Sequence, residues 1–203
     1  MFITFEGIEG SGKTTQIQRV LDWLASDDIP VVSTLEPGGT PIGLSLRDML
    51  LSSNGGLNAA ASELFLFAAD RCEHIHQVIQ PALYRGDWVI CDRYIDSTFA
   101  YQYGGRQHKK EDVLDVIRLT HAIEPDLTFL LDLSPEEGIR RAVLRGTLDR
   151  FETQAMAFHE RVRAAYLECA ETHPHRFFVI PSDGQSEDDI FHRIHHIIQS
   201  RRT

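Results

Sequence analysis

The sequence is poor in cysteine and in positive charge, and it has no long apolar run. Its three cysteines, Cys72, Cys91 and Cys169, are scattered, and no Cys-x-x-Cys pair occurs. That argues against a disulfide framework and supplies no zinc-ligand spacing. Cys91 stands in an apolar run and reads as a small core residue. No stretch of about 18 apolar residues occurs, so no membrane-spanning helix is expected. The opening Met1-Phe2-Ile3-Thr4-Phe5 has neither the basic region nor the cleavage site of a secretory leader. A reducing cytoplasm is the expected location. Lysine and arginine total 20 against 30 aspartates and glutamates, a formal charge of -10. Binders of polymeric nucleic acid carry a basic face, and this balance argues against one. Any phosphate site must therefore be local.

Internal repeats, low-complexity tracts and linkers are also missing. A chain of 203 residues, 42% hydrophobic, fits a single domain with a sizeable core. What is present is an alternation of short apolar runs and helical patterns. The expected strands are Phe2–Glu6, Pro30–Leu35, Trp88–Cys91, Leu127–Leu133 and Phe177–Ile180. The first expected helix carries Ile17, Val20, Leu21 and Leu24. Others span Ile42–Leu51, Ser62–Tyr84 with Pro81 as a kink or end, and, after a polar loop, Val113–Ala122. Pro135–Arg145 is expected to start from Ser134 as N-cap, and Thr153–Thr172 and Asp188–Gln199 follow. Strands this apolar are buried on both faces. The expected fold is α/β, a five-stranded parallel sheet flanked by helices.

The run Gly7-Ile8-Glu9-Gly10-Ser11-Gly12-Lys13-Thr14 meets the pattern G-x-x-x-x-G-K-[ST], between an apolar strand and a helix. Glycines let such a loop curl until its N–H groups face phosphate oxygens. Lys13 would reach the terminal phosphates and Thr14 would offer a hydroxyl to Mg²⁺; Thr15 continues into the helix. The same ion calls for a carboxylate at the end of an apolar strand. Asp92 and Asp132 both qualify, and Asp92 is favoured because Arg93 follows it. No N-K-x-D guanine motif and no L-S-G-G-Q signature occurs, which argues against a GTPase and a transporter ATPase.

Further motifs are more specific. Phe5-Glu6-Gly7-Ile8-Glu9-Gly10-Ser11-Gly12-Lys13-Thr14-Thr15, Glu36-Pro37-Gly38-Gly39-Thr40, Asp92-Arg93-Tyr94, Ser97-Thr98-Phe99-Ala100-Tyr101-Gln102, Pro125-Asp126-Leu127 and Arg145-Gly146-Thr147-Leu148-Asp149-Arg150 follow one another along nearly the whole chain. In this order they resemble the thymidylate (dTMP) kinases. The resemblance implies a P-loop nucleoside monophosphate kinase fold, Mg²⁺ and ATP as donor, dTMP as acceptor, and a homodimer. It implies that Arg93 clamps the acceptor phosphate with help from Arg47. Phe67 would stack on thymine and Arg71, one helical turn on, would bond its edge. Ser97, Thr98 and Gln102 would complete the polar wall, Tyr101 would disfavour a 2′-hydroxyl, and Glu9 would lie between donor and acceptor. No arginine stands between Gly7 and Lys13, whereas Arg141, Arg145 and Arg150 cluster around a lid expected at about residues 141–152. The resemblance makes Lys13, Glu9, Arg93, Arg145 and Arg150 the catalytic set.

Two departures stand out. Leu35 and Leu44 occupy positions that are charged in many relatives, and an apolar contact between them is the expected replacement. Val143 stands where another lid arginine is common. His192, His195 and His196 gather on the last helix without a framing carboxylate motif, and a solvated helix face is expected rather than a metal site.

Overall fold

The computed structural model describes residues 1–52, 57, 59–146 and 149–202, apart from the side chains of Ala60 and Arg145. Five parallel strands form one sheet: β1 (Phe2–Glu6), β2 (Val31–Leu35), β3 (Trp88–Asp92), β4 (Leu127–Asp132) and β5 (Phe177–Pro181), in the order β2-β3-β1-β4-β5. The helices are α1 (Lys13–Ser26), α2 (Pro41–Leu51), α3 (Ala60–His74), α4 (Gln80–Arg85), α5 (Ile95–Thr98), α6 (Lys110–Leu119), α7 (Pro135–Arg145), α8 (Met156–Thr172) and α9 (Glu187–Arg201).

Helices cover both faces of the sheet, which is why its central strands β1, β3 and β4 are buried along nearly their whole length. On one face, Ile17, Val20 and Leu24 of α1 join Ile190, Ile194 and Ile198 of α9 against Ile3, Phe5, Ile90 and Phe129. On the other, Phe158, Val162 and Tyr166 of α8 pack with Leu130 and Phe177. Ile75, Ile79 and Ala82 cover Phe2, Val89 and Cys91 there, and Cys91 is indeed a buried core residue. Full burial of such a side chain contributes about 1.5–3 kcal/mol relative to exposure. The register aligns Leu35, Asp92 and Phe5 across β2, β3 and β1. Glu36, Arg93 and Glu6 therefore leave the sheet side by side at its carboxyl edge, where ligands of open parallel sheets bind.

Several elements differ from expectation. The helix expected over Ser62–Tyr84 is interrupted by a wide π turn, Ile75–Ile79, and Pro81 stands in the first turn of α4, so the helix is distorted there, the first of the two expectations, and not ended. Proline lacks the N–H that a continuous ladder needs, and the turn widens just ahead of it. The segment after β3, expected as a polar loop, is helical: α5 runs into a second π turn, Phe99–Gly105, with Phe99, Ala100 and Tyr101 buried. Gly104 and Gly105 let it lie flush on α8, since a Cβ on Gly105 would sit 2.5 Å from Phe158. The helix expected from Thr153 starts at Met156. Asp149 Oδ1 accepts the N–H groups of Phe151 and Glu152 and holds that stretch in a turn. Ser134 stands at the N-cap position of α7 but makes no side-chain cap bond; its Oγ donates to Asp183 Oδ1. Lys110–Leu119, not Val113–Ala122, is the span of α6.

Candidate active site

The loop between β1 and α1 is shaped by glycines with positive φ: Gly7 at 136°, Gly10 at 73° and Gly12 at 95°. A Cβ on Gly7 would fall 2.6 Å from the Leu131 carbonyl, and one on Gly10 equally close to the Gly138 carbonyl. The loop is thus seated on β4 and α7 by close backbone approach. Lys13 opens α1 and turns back into the loop, donating from Nζ to the carbonyls of Gly7 (3.0 Å) and Ile8 (3.1 Å) and to Ser11 Oγ (3.4 Å). Burial, and then the Arg93 charge, push its ammonium down to about 8, against the opposing carboxylates of Asp92, Glu9 and Glu6. An anion in the loop would reverse that direction.

A cavity of about 530 Å³ extends from this loop. Its wall includes Glu9 to Thr15, then Leu35–Pro37 and Arg47, then Phe67, Arg71, Asp92–Tyr94, Ser97, Thr98 and Tyr101, and finally Arg141, Asp149, Phe151 and Glu152. The residues proposed from sequence for donor and acceptor thus share one cavity, with exceptions. Gly7 and Ile8 are not part of its lining. Gln102 is fully buried behind the wall, its Nε2 donating to Glu63 Oε1 (2.6 Å). Arg150 is turned away: Nη2 donates to Glu63 Oε2 (2.7 Å) and Nε to the Leu50 carbonyl (2.9 Å). Of the lid arginines whose side chains are described, Arg141 reaches the loop, its Nη1 donating to the Gly10 carbonyl (3.2 Å). The Arg145 side chain and residues 147–148 of the expected lid lie outside the described residues.

Arg93 occupies the centre. It follows β3 with φ at 69°, a left-handed conformation that costs a non-glycine residue roughly 1–2 kcal/mol. Its N–H donates to the Phe5 carbonyl (2.9 Å) and fixes the turn. Nη2 donates to Glu9 Oε1 (2.9 Å), and Nη1 to Ser97 Oγ (3.3 Å) and Tyr166 Oη (3.1 Å). The guanidinium also lies 5.0 Å over the Tyr101 ring, whose hydroxyl donates to the same Glu9 oxygen (2.5 Å). Burial alone would raise the Glu9 carboxyl, but the charges of Arg93 and Lys13 outweigh it and hold Glu9 below the usual range.

Phe67 and Arg71 lie four residues apart on one face of α3. Phe67 is half-buried against Phe151 (ring centroids 6.1 Å apart). Arg71 is buried, donating from Nε and Nη2 to Glu36 Oε2 (2.9 and 2.7 Å) and from Nη2 to Thr98 Oγ1 (2.8 Å); its Nη1 has no partner among the described residues. Glu36 Oε1 faces His74 Nδ1 at 2.9 Å. Arg47 on α2 donates to the Pro37 carbonyl (2.7 Å), and Thr40 Oγ1 caps that helix by accepting from Gly43 N–H.

The two metal candidates separate. Asp132 is engaged by Arg163 through two hydrogen bonds of 2.7 and 2.8 Å. Asp92 lines the cavity, and its Oδ1 is buried with no partner among the described residues. Thr14, on the same wall, is exposed. Leu35 lines the cavity while Leu44 is 56% exposed, so most of Leu44 faces solvent rather than an apolar partner. On α9, His192 and His196 are exposed, as expected, whereas His195 packs edge-on against Trp23 at 4.3 Å. No cluster with metal-binding composition occurs among the described residues.

Sequence reasoning assigned no role to Glu6, Glu36, Glu63, Phe151 or Tyr166. Glu6 and Glu36 stand inside motifs already quoted, which was a usable signal. The others meet the site only through tertiary packing.

Comparison with known proteins agrees with this architecture. The family model described as thymidylate kinase matches residues 5–194. The thymidylate kinase of Desulfosudis oleivorans is 44% identical over 196 residues, covering 93% of this chain and 92% of that protein. That of Oleidesulfovibrio alaskensis is 44% identical over 207 residues, covering 96% and 95%. The crystal structure of thymidylate kinase from Ehrlichia chaffeensis superposes with a TM-score of 0.80 at 34% identity, covering 98% of both chains. Matched in sequence along nearly its whole length and in fold throughout, the chain belongs to the thymidylate kinase family.

Proposed function

We infer that the protein transfers the γ-phosphate of ATP to dTMP, giving ADP and dTDP. The observation that carries this reading is the single cavity running from the glycine loop, past Arg93, to the wall of Phe67 and Arg71. The loop N–H groups and Lys13 hold the donor phosphates. The phosphate of the acceptor is already largely anionic at neutral pH, with a second pKa of about 6, so no general base is needed. Catalysis is positioning and charge neutralisation. Arg93 and Arg47 hold the acceptor phosphate, and Glu9 lies between the two nucleotides. Phe67 stacks on thymine, and the unpartnered Nη1 of Arg71 supplies a donor for its edge. Ser97 and Thr98 form the polar wall with Gln102 buried behind them, and Tyr101 closes the sugar side.

Asp92 and Thr14 suit Mg²⁺, as the unpartnered buried oxygen of Asp92 and the exposed Thr14 on the same wall support. When bound, the ion neutralises charge on the phosphates. The described parts of the expected lid, residues 141–146 and 149–152, close over the phosphates. Arg141 touches the loop in the state described, and Arg145 and Arg150 approach the phosphates on closure. The protein works as a cytoplasmic homodimer; exposed Phe65 on α3 and Leu114 on α6 offer apolar surface on two helices that pack together.

The test is turnover with Mg·ATP and a panel of dTMP, dUMP, dCMP, AMP and thymidine. dTMP should give the highest kcat/KM. An acceptor used as well as dTMP would refute the assignment.

A further inference from the structure

Behind Arg93 lies a group that the reaction, as described, does not use. Glu6, the last residue of β1, is fully buried. Its Oε1 accepts the N–H of Tyr94 (2.8 Å), and its Oε2 accepts the hydroxyls of Ser97 (2.5 Å) and Tyr166 (3.1 Å). Those two hydroxyls lie 2.7 Å apart, and both accept from Arg93 Nη1.

The donor and acceptor count is one-directional. A hydroxyl has a single proton, and a carboxylate can only accept. Ser97 donates to Glu6, and the one proton of Tyr166 goes either to Glu6 or to Ser97; in both arrangements the hydroxyl lone pairs are left for Arg93, which can only donate. An acid or an amide at position 6 would carry protons of its own, and a hydroxyl could then turn its proton toward the guanidinium. The structure assigns Glu6 as a positioning residue: as a carboxylate it sets the polarity of the Ser97 and Tyr166 hydroxyls, and so fixes the guanidinium of Arg93 for the acceptor phosphate. The inference rests on Arg93 being the acceptor clamp.

Glu6 is also able to change state in the working range. Burial, followed by the charge of Asp96 on α5, pushes its carboxyl up to about 7, against the Ser97 hydrogen bond, the Arg93 charge and the Tyr94 N–H. Tyr166 and Cys169 on α8, Cys91 on β3 and Lys13 on α1 share its field. The carboxylate form is therefore lost as pH falls through about 7, and the ordered form of the clamp is lost with it.

The test compares Glu6→Gln, Tyr166→Phe and the double variant by steady-state kinetics from pH 6 to 8.5, with folding checked by circular dichroism and thermal melting. Glu6→Gln should raise KM for dTMP roughly tenfold, the scale of losing hydrogen bonds to a charged group, with KM for ATP within about twofold. Tyr166→Phe should act in the same direction by roughly threefold, and the double variant should be no worse than Glu6→Gln, because both act on one network. In the wild type, kcat/KM for dTMP should carry a step near neutral pH that Glu6→Gln removes. The phosphate of dTMP titrates near 6 in either enzyme and so remains in both profiles. Ionised Glu6 could instead weaken Arg93 by competing for its charge. A KM for dTMP that stays unchanged or falls in Glu6→Gln, or parallel pH profiles, would overturn the inference. If Arg93→Ala left dTMP kinetics intact, the clamp itself, rather than its positioning, would be at fault.

Discussion

Between Gly7 and Thr15 the donor end of the cavity uses one loop and one helix start, whereas the acceptor end draws on side chains as distant in sequence as Glu6 and Tyr166. The donor end presents mostly backbone, and its one loop cation, Lys13, rests on carbonyls of its own loop. The acceptor end presents cations already matched to carboxylates: Arg93 to Glu9, Arg71 to Glu36. Burying such pairs adds little net stability, but removing one partner costs about 3–5 kcal/mol. The difference is one of construction. A phosphate cradle can be encoded in a short peptide whose glycines permit its conformation. A pocket that distinguishes one base from another needs planar groups held at fixed angles, and here that rigidity comes from ion pairs that draw on the whole fold.

The sharpest way to break this comparison is at the donor end. Lys13→Ala should lower kcat by roughly a hundred- to a thousandfold, the range seen when one preorganised charge contact is removed, with the fold intact by circular dichroism. A change confined to KM for dTMP would place Lys13 at the wrong end of the cavity. A smaller effect is expected at the acceptor end. Phe67→Ala should cost about 1–3 kcal/mol of dTMP binding, the usual worth of an aromatic–base stack, and leave ATP binding alone. Equal loss of both ligands, read by titration calorimetry, would show that Phe67 supports the fold rather than the base.

The same contrast explains what was legible in the sequence. The five strands and the glycine loop follow from local pattern: apolar runs, positive-φ glycines and a lysine at a helix start. Phe67 and Arg71 could be paired by helical spacing. The segment after β3 was not legible as helix, because its apolar side chains fill a surface of α8 that no local pattern reveals. Gln102 was identified by its motif, yet its seat on Glu63 is shared with Arg106, at the end of the same turn, and with Arg150 from a distant segment. The direction of Arg150, toward Glu63 and the Leu50 carbonyl, was likewise invisible, since spacing places an arginine on a lid but not its partner. Asp92 was favoured over Asp132 by sequence only through the neighbouring Arg93; Arg163, on α8, engages Asp132 and separates them in space.

The account depends most on Arg93 as the acceptor's clamp at the junction of the two ends. Calorimetric titration of dTMP and, separately, of ATP into the wild type and Arg93→Ala tests that directly. Loss of a bidentate charged contact should weaken dTMP at least about tenfold and leave ATP within about twofold. Unchanged dTMP affinity, or an equal loss for ATP, would contradict it.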